Sequence, residues 1–112
     1  MVALFIVLND FEYLDDILEA FVKLGVQGAT IVDSYGMGKA LRESKRLGYL
    51  MKGPIDRAVP EDTNESKTIF SVVDESQIDF IMKTIENLLL GSRNETVGFM
   101  FAMPVSIVMP VK

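Results

Sequence analysis

At 112 residues, with 49% apolar and 24% charged side chains and a net charge of −5, the chain is one small globular domain with a single core. It has no Cys and no His, which excludes disulfides, thiolate nucleophiles and zinc–sulfur sites and removes the usual general base and the commonest transition-metal ligand, so neither an enzyme nor a metal site is expected. No stretch approaches the roughly 18 to 20 apolar residues of a membrane span, and MVALFIVLND lacks a basic n-region before Asp10 and Glu12, so no span and no signal peptide are expected, the location reads as cytoplasmic, and no nucleic-acid partner is expected.

Residues 2–8 (VALFIVL) form a continuous apolar run, the pattern of a strand covered on both faces. Asn9 or Asp10 caps the helix that follows, with Glu12 three residues after Asn9 as in a capping box. Over residues 11–24, Leu14, Ile17, Leu18 and Phe21 recur at i, i+3, i+4, i+7 and make one apolar stripe.

Gly25 to Gly38 reads GVQGATIVDSYGMG. A glycine just past a helix ends it in the left-handed conformation, and Val26 to Tyr35 then reads as the second strand. Gly36 and Gly38, one residue apart, permit a sharp bend or a close backbone approach to a ligand. The charge changes sign immediately afterwards: Lys39, Arg42, Lys45, Arg46, Lys52 and Arg57 face only Glu43 and Asp56. A basic segment launched from a Gly-rich strand end marks a place for an anion or an acidic partner. Ala40 to Met51 reads as a short helix, ended by Gly53-Pro54, and residues 61–66 as a polar, solvated tip. A connection of this length, about 39–66, is expected to be functional and mobile.

Lys67 to Val73 alternates as a third strand. Asp74 caps a second helix, with Gln77 three residues on, and Ile78, Ile81, Met82, Ile85, Leu88 and Leu89 form its buried stripe before Gly91 closes it. Residues 97–105 are a fourth strand that Pro104 interrupts or pushes to an edge, and Ile107 to Val111 reads as a short terminal strand. The order predicts an α+β, ferredoxin-like βαββαβ sandwich: a four-stranded antiparallel sheet with two helices on one face, residues 1–112 forming one domain. Strands 1 and 4 are apolar at almost every position, more than one helical layer covers, so the other face predicts a homo-oligomer. Seven Met and seven Phe supply adaptable bulk for that contact or for the core.

With this topology in place, the chain resembles the PII nitrogen-regulatory signal-transduction proteins over most of its length. GVQGATIVDSYGMG is similar to the family's G-V-x-G-[MA]-T-V-x-x-x-x-G-[FM]-G stretch, the long connection falls where the family has its T-loop, and the FAMPV run resembles the family's C-terminal part. The resemblance implies a homotrimer with sheets lining its centre, small effectors bound in clefts between subunits, and a loop that engages a target protein. The departures fall on the chemistry. The family's phosphate-cradling G-D-G-K turn reads Thr96-Val97-Gly98-Phe99 here, the Gln that helps hold a divalent metal and 2-oxoglutarate is Ala40, and the C-terminal R-x-R is reduced to Pro110 and Lys112. The loop's R-G-A-E-Y modification motif is missing, although Tyr49 lies in the connection. The resemblance therefore does not extend to ATP, magnesium and 2-oxoglutarate binding, and no cofactor is assigned.

The expected ligand-binding residues are Gly36, Met37, Gly38, Lys39, Gly98 and Lys112, around a small anionic effector. The expected partner-binding residues are Arg42, Lys45, Arg46, Tyr49 and Lys52. Besides a PII-like regulator, two readings stay open: a sensor of a different nucleotide, like the cyclic di-AMP receptors, and a ligand-free protein-interaction module.

Overall fold

The computed structural model describes residues 1–51, 65–93 and 96–111. The elements run β1 (Val2–Leu8), α1 (Leu14–Lys23), β2 (Thr30–Tyr35), α2 (Met37–Glu43), β3 (Glu65–Val73), α3 (Ile78–Leu89) and β4 (Gly98–Pro104), with single 3₁₀ turns at Phe11–Tyr13, Gly48–Met51 and Glu75–Gln77. The strands form one antiparallel sheet in the order β2-β3-β1-β4. This is the ferredoxin-like α+β arrangement expected from the element order.

The period-2 pattern of β1 sorts its side chains onto two surfaces. Val2, Leu4, Ile6 and Leu8 meet Ile69 and Val73 of β3 and the buried stripes of the helices, Ile17 and Phe21 from α1 and Ile81, Ile85 and Leu89 from α3. That is the core, and at about 25 cal/mol per Å² its burial supplies the main driving force for folding. The alternate residues Ala3, Phe5 and Val7 look the other way. By register they share that face with Phe70 and Thr68 of β3 and with Phe99, Phe101 and Met103 of β4.

Several boundaries differ from the sequence expectation, each for a local reason. The second strand begins at Thr30 rather than Val26. Gly25 turns the chain at φ +79°, the Val26 amide donates to Phe21 O of α1, and the buried Ser71 hydroxyl takes the Gly28 carbonyl, so the backbone of 26–29 is engaged outside the ladder. Asp10, not Asn9, caps the first helical turn by accepting from the Glu12 amide; the Asn9 amide side chain instead donates to Thr96 O at 3.1 Å. Asp74 caps as expected, its Oδ1 accepting from the Ser76 amide and hydroxyl, which holds its carboxyl below the usual carboxylate range. A third helix, α2, starts at Met37, earlier than the Ala40 expected, and ends at Glu43, and β3 begins two residues before Lys67. The connection is thus helical at its start, and its residues 52–64 lie outside the described ones, along with the expected Gly53-Pro54 stop and most of the polar tip. Pro104 lies at the end of the edge strand β4, as its missing N–H requires. The terminal strand expected over 107–111 is not formed among the described residues: after the Val105 amide donates to Met1 O, residues 106–111 are exposed.

Candidate functional site

The face of the sheet away from α1 and α3 carries a band of aromatic rings. Phe5 stacks on Phe101 with centroids 4.9 Å apart and on Phe70 at 5.6 Å, and Phe99 lies 6.2 Å from Phe101. Phe99 is 58% exposed, Phe101 41% and Met103 45%. No helix among the described residues covers this surface, so its apolar area remains in contact with solvent in the single chain.

At the end of this face nearest the connection, the sheet opens into a groove of about 480 Å³. One wall is polar. The Ser34 hydroxyl of β2 lies 2.7 Å from the Ser66 hydroxyl and 2.9 Å from the Thr68 hydroxyl, both on β3. These meet because the register puts Ser34 opposite Ser66, and β-strand periodicity brings Thr68 to the same face. The opposite wall comes from Asn9, Thr96, Gly98 and Phe99, at the junction of β1 and β4. Gly98 is required there, because a Cβ at this position would overlap the Val7 carbonyl oxygen of the neighbouring strand. Gly36, with Tyr35, closes the groove at the base of α2.

A second, charged groove of about 340 Å³ lies beside the same strand ends. There Lys39 of α2 pairs with Glu65 of β3 at 3.0 Å and lies 5.4 Å from the Tyr35 ring centroid. Lys67 pairs with Asp33 at 2.6 Å and lies over the Phe11 ring at 5.0 Å. The Glu65 hydrogen bond, reinforced by the charges of Glu65 and Glu43, raises the Lys39 pKa above its ordinary value. Its ammonium is therefore charged and already matched to a carboxylate.

A family model for nitrogen regulatory protein P-II matches residues 1–112. The chain belongs to the P-II family. No curated protein matches it in sequence. P-II proteins are regulatory, and no helix among the described residues is long and apolar enough to cross a membrane.

Within this P-II fold, the sequence-expected ligand residues divide. Gly36 and Gly98, distant in sequence, do line one groove. Lys39 does not line it and stands instead in the charged groove against Glu65. Gly36 has extended backbone at the start of α2 and Gly38 is buried within that helix, so the glycine pair opens a helix. Met37 is exposed and lines neither groove, and Lys112 lies outside the described residues. Of the expected partner-binding residues, Arg42 is half-buried on α2, Lys45 and Arg46 are exposed, Tyr49 is exposed in the 3₁₀ turn, and Lys52 lies outside the described residues. The hydroxyl cluster of Ser34, Ser66 and Thr68 was not foreseen. Its signal is present as alternating hydroxyls at Ser66 and Thr68 of β3 and a single serine, Ser34, in β2, but only the cross-strand register, set across the long connection, brings them together.

Proposed function

We propose that this P-II protein is a homotrimeric regulator that takes a small effector in clefts between subunits and acts on a partner protein through the connection of about residues 39–66. The single observation that carries the reading is continuity: the aromatic band and the groove holding Gly36 and Gly98 lie on one face. A neighbouring subunit packed over Phe5, Phe99 and Phe101 closes the groove into an intersubunit cleft. Family membership supports threefold assembly, and an obligate contact of this kind buries on the order of 2,000 Å² or more. The basic residues at the start of the connection, including Lys45 and Arg46, fit a partner with an acidic surface and speed its capture.

An anionic effector drawn to Lys39 must displace the Glu65 carboxylate, and Phe99 stands where the family resemblance expects the phosphate-binding Lys. ATP binding of the ordinary family kind is therefore expected to be weak or absent. Light scattering of the parent and of Phe101→Asp tests the assembly: a stable parent trimer that falls to a folded monomer on substitution supports it, and a monomeric parent at micromolar concentration refutes it. Micromolar ATP binding with magnesium, measured by calorimetry, would restore the ordinary effector chemistry. Tight binding of cyclic di-AMP would favour the different-nucleotide sensor, and a trimer indifferent to every small molecule would favour the interaction module.

A further inference from the structure

We infer that the outer face of α1 and α3 is a docking surface, centred on Phe80, for a lysine- and arginine-rich segment of a partner protein. This face lies across the sheet from the aromatic band and the groove. It adds a second point of contact to the proposed regulator and does not depend on the assembly.

The apolar part comes first. β1 and β3 are antiparallel and each is followed by its helix, so α1 and α3 pack antiparallel, with the first turn of α3 beside the last turn of α1. That end of the layer turns Phe80 and Val22 outward, 67% and 77% exposed. Neither is explained by its helix. The buried stripes are complete without them, and aromatic and β-branched side chains lose rotamer freedom in a helix, so a surface position gains nothing from either. Thr84, one turn beyond Phe80, donates its hydroxyl back to the Phe80 carbonyl at 2.8 Å, which leaves its methyl as the group available to a neighbour.

Charge decides what covers them. Between Phe11 and Lys23 and between Glu75 and Leu89 there are seven carboxylates, all exposed, and two lysines. Both lysines are taken, Lys23 by Glu19 and Lys83 by Glu86, each at 2.9 Å. Asp15, Asp16, Glu75 and Asp79 form no ion pair among the described residues. The helix dipoles favour Asp15, Asp16 and Asp79 in first turns, but the field they make still repels an anionic membrane or a nucleic acid and attracts a basic partner.

The chain itself shows how such a surface holds a cation. Lys39 lies over Tyr35 while pairing with Glu65, and Lys67 lies over Phe11 while pairing with Asp33. Each ammonium is shared between a ring face and a carboxylate. Phe80, with Asp79 beside it in the chain and Glu75 in the turn before, offers the same two components, yet among the described residues no cation lies over its ring. A partner's lysine or arginine laid on that ring completes the set, its methylene stem covering Phe80 and its charge meeting Asp79.

The test uses the full chain and two fluorescent peptides that fold as amphipathic helices, one of leucine and lysine, the other of leucine and glutamate, read by anisotropy at low salt. The lysine peptide is expected to bind in the micromolar range and to weaken as salt rises, and the glutamate peptide to stay free. Phe80→Ser should weaken the lysine peptide about tenfold while moving the melting temperature by no more than about 2 °C, and Asp79→Asn should weaken it about two- to fivefold. Equal affinity of the parent and Phe80→Ser overturns the inference, as does equal binding of the two peptides or no binding at low salt. Binding kept in Phe80→Ser but lost in Phe101→Asp assigns the peptide to the sheet face and overturns it too. So does a parent whose mass grows with concentration at low salt and whose growth Phe80→Ser abolishes, because the occupant is then a second copy of this chain. A monomeric parent that binds the lysine peptide through Phe80 supports the inference and sinks only the proposed assembly.

Discussion

Gly98→Ala is a one-methyl change with a large expected effect. The added Cβ would overlap the Val7 carbonyl oxygen and approach the Leu8 Cα to 3.3 Å, both main-chain atoms of β1. β1 is the central strand, paired with β3 on one side and β4 on the other, and Leu8 stands directly opposite Gly98. It has no room to retreat, so β4 must lift away. That lift strains the two hydrogen bonds by which Asn9 and Asp10 donate to Val97 O, at 2.9 and 3.3 Å. Overpacking against a fixed backbone costs roughly 1–3 kcal/mol, and each weakened hydrogen bond up to about 1 kcal/mol, so the change should destabilise by roughly 2–4 kcal/mol. At about 4 °C per kcal/mol for a domain of this size, the melting temperature should fall by about 8–16 °C. Gly28→Ala is the matched control, because nothing lies within 4 Å of its built Cβ; it should stay within about 0.5 kcal/mol of the parent. Thermal and urea melts followed by circular dichroism read both. A Gly98→Ala protein melting within about 2 °C of the parent would refute the account of this strand junction, and with it the rigidity of one wall of the groove.

Phe101→Asp should abolish self-association while preserving the far-ultraviolet spectrum, since Phe101 lies on the face opposite the core; unchanged mass by light scattering would count against the sheet interface. Ile85→Ala removes a fully buried side chain at the heart of α3 and should cost about 2–5 kcal/mol by urea denaturation. Asp74→Ala should lower the melting temperature by about 4 °C at neutral pH through loss of the cap. Because the Asp74 pKa is depressed in the folded state from 3.8, its support is present above that pH and is lost as pH falls through the folded value, so parent and variant melts should converge in acid.

The fold was legible because its signals are local and agree with one another. The alternation in KTIFSVV, the i, i+3, i+4 stripes around Ile17 and Ile85, and the Asp74 cap each predict their element without knowledge of the rest. The apolar runs of the first and fourth strands likewise announced a second apolar face before any register was known. Misjudged boundaries occur where a distant group claims the backbone: Ser71 takes the Gly28 carbonyl, and Val97 takes the amides after β1. The candidate site was legible only in part. Gly36 was marked by its backbone freedom and Gly98 by its place in the family's phosphate-cradling turn, and both line the groove. Lys39 was read from the charge run as its neighbour in function, but pairing with Glu65 carries it to the charged groove instead, a preference only the register reveals. The hydroxyl cluster needs two strands from opposite ends of the long connection, and nothing near Ser34 foretells Thr68.

The connection leaves and rejoins the sheet on a single rung. Tyr35 and Glu65 are paired across β2 and β3, and Lys39, one helical turn further on, reaches back to the same Glu65. Both feet of the excursion therefore stand on one beam. On the proposed reading, a pull applied by a partner to the connection would enter the sheet as a load on that rung, with the Lys39 strut sharing it. The next rung inward is Ser34 opposite Ser66, the fulcrum of the hydroxyl cluster. Tension at the feet is thus delivered about one residue's rise, near 3.4 Å, from the groove wall. On the proposed reading, a molecule wedged in the groove would stiffen that fulcrum in return, and grip on a partner and occupancy of the groove would be two ends of one short lever.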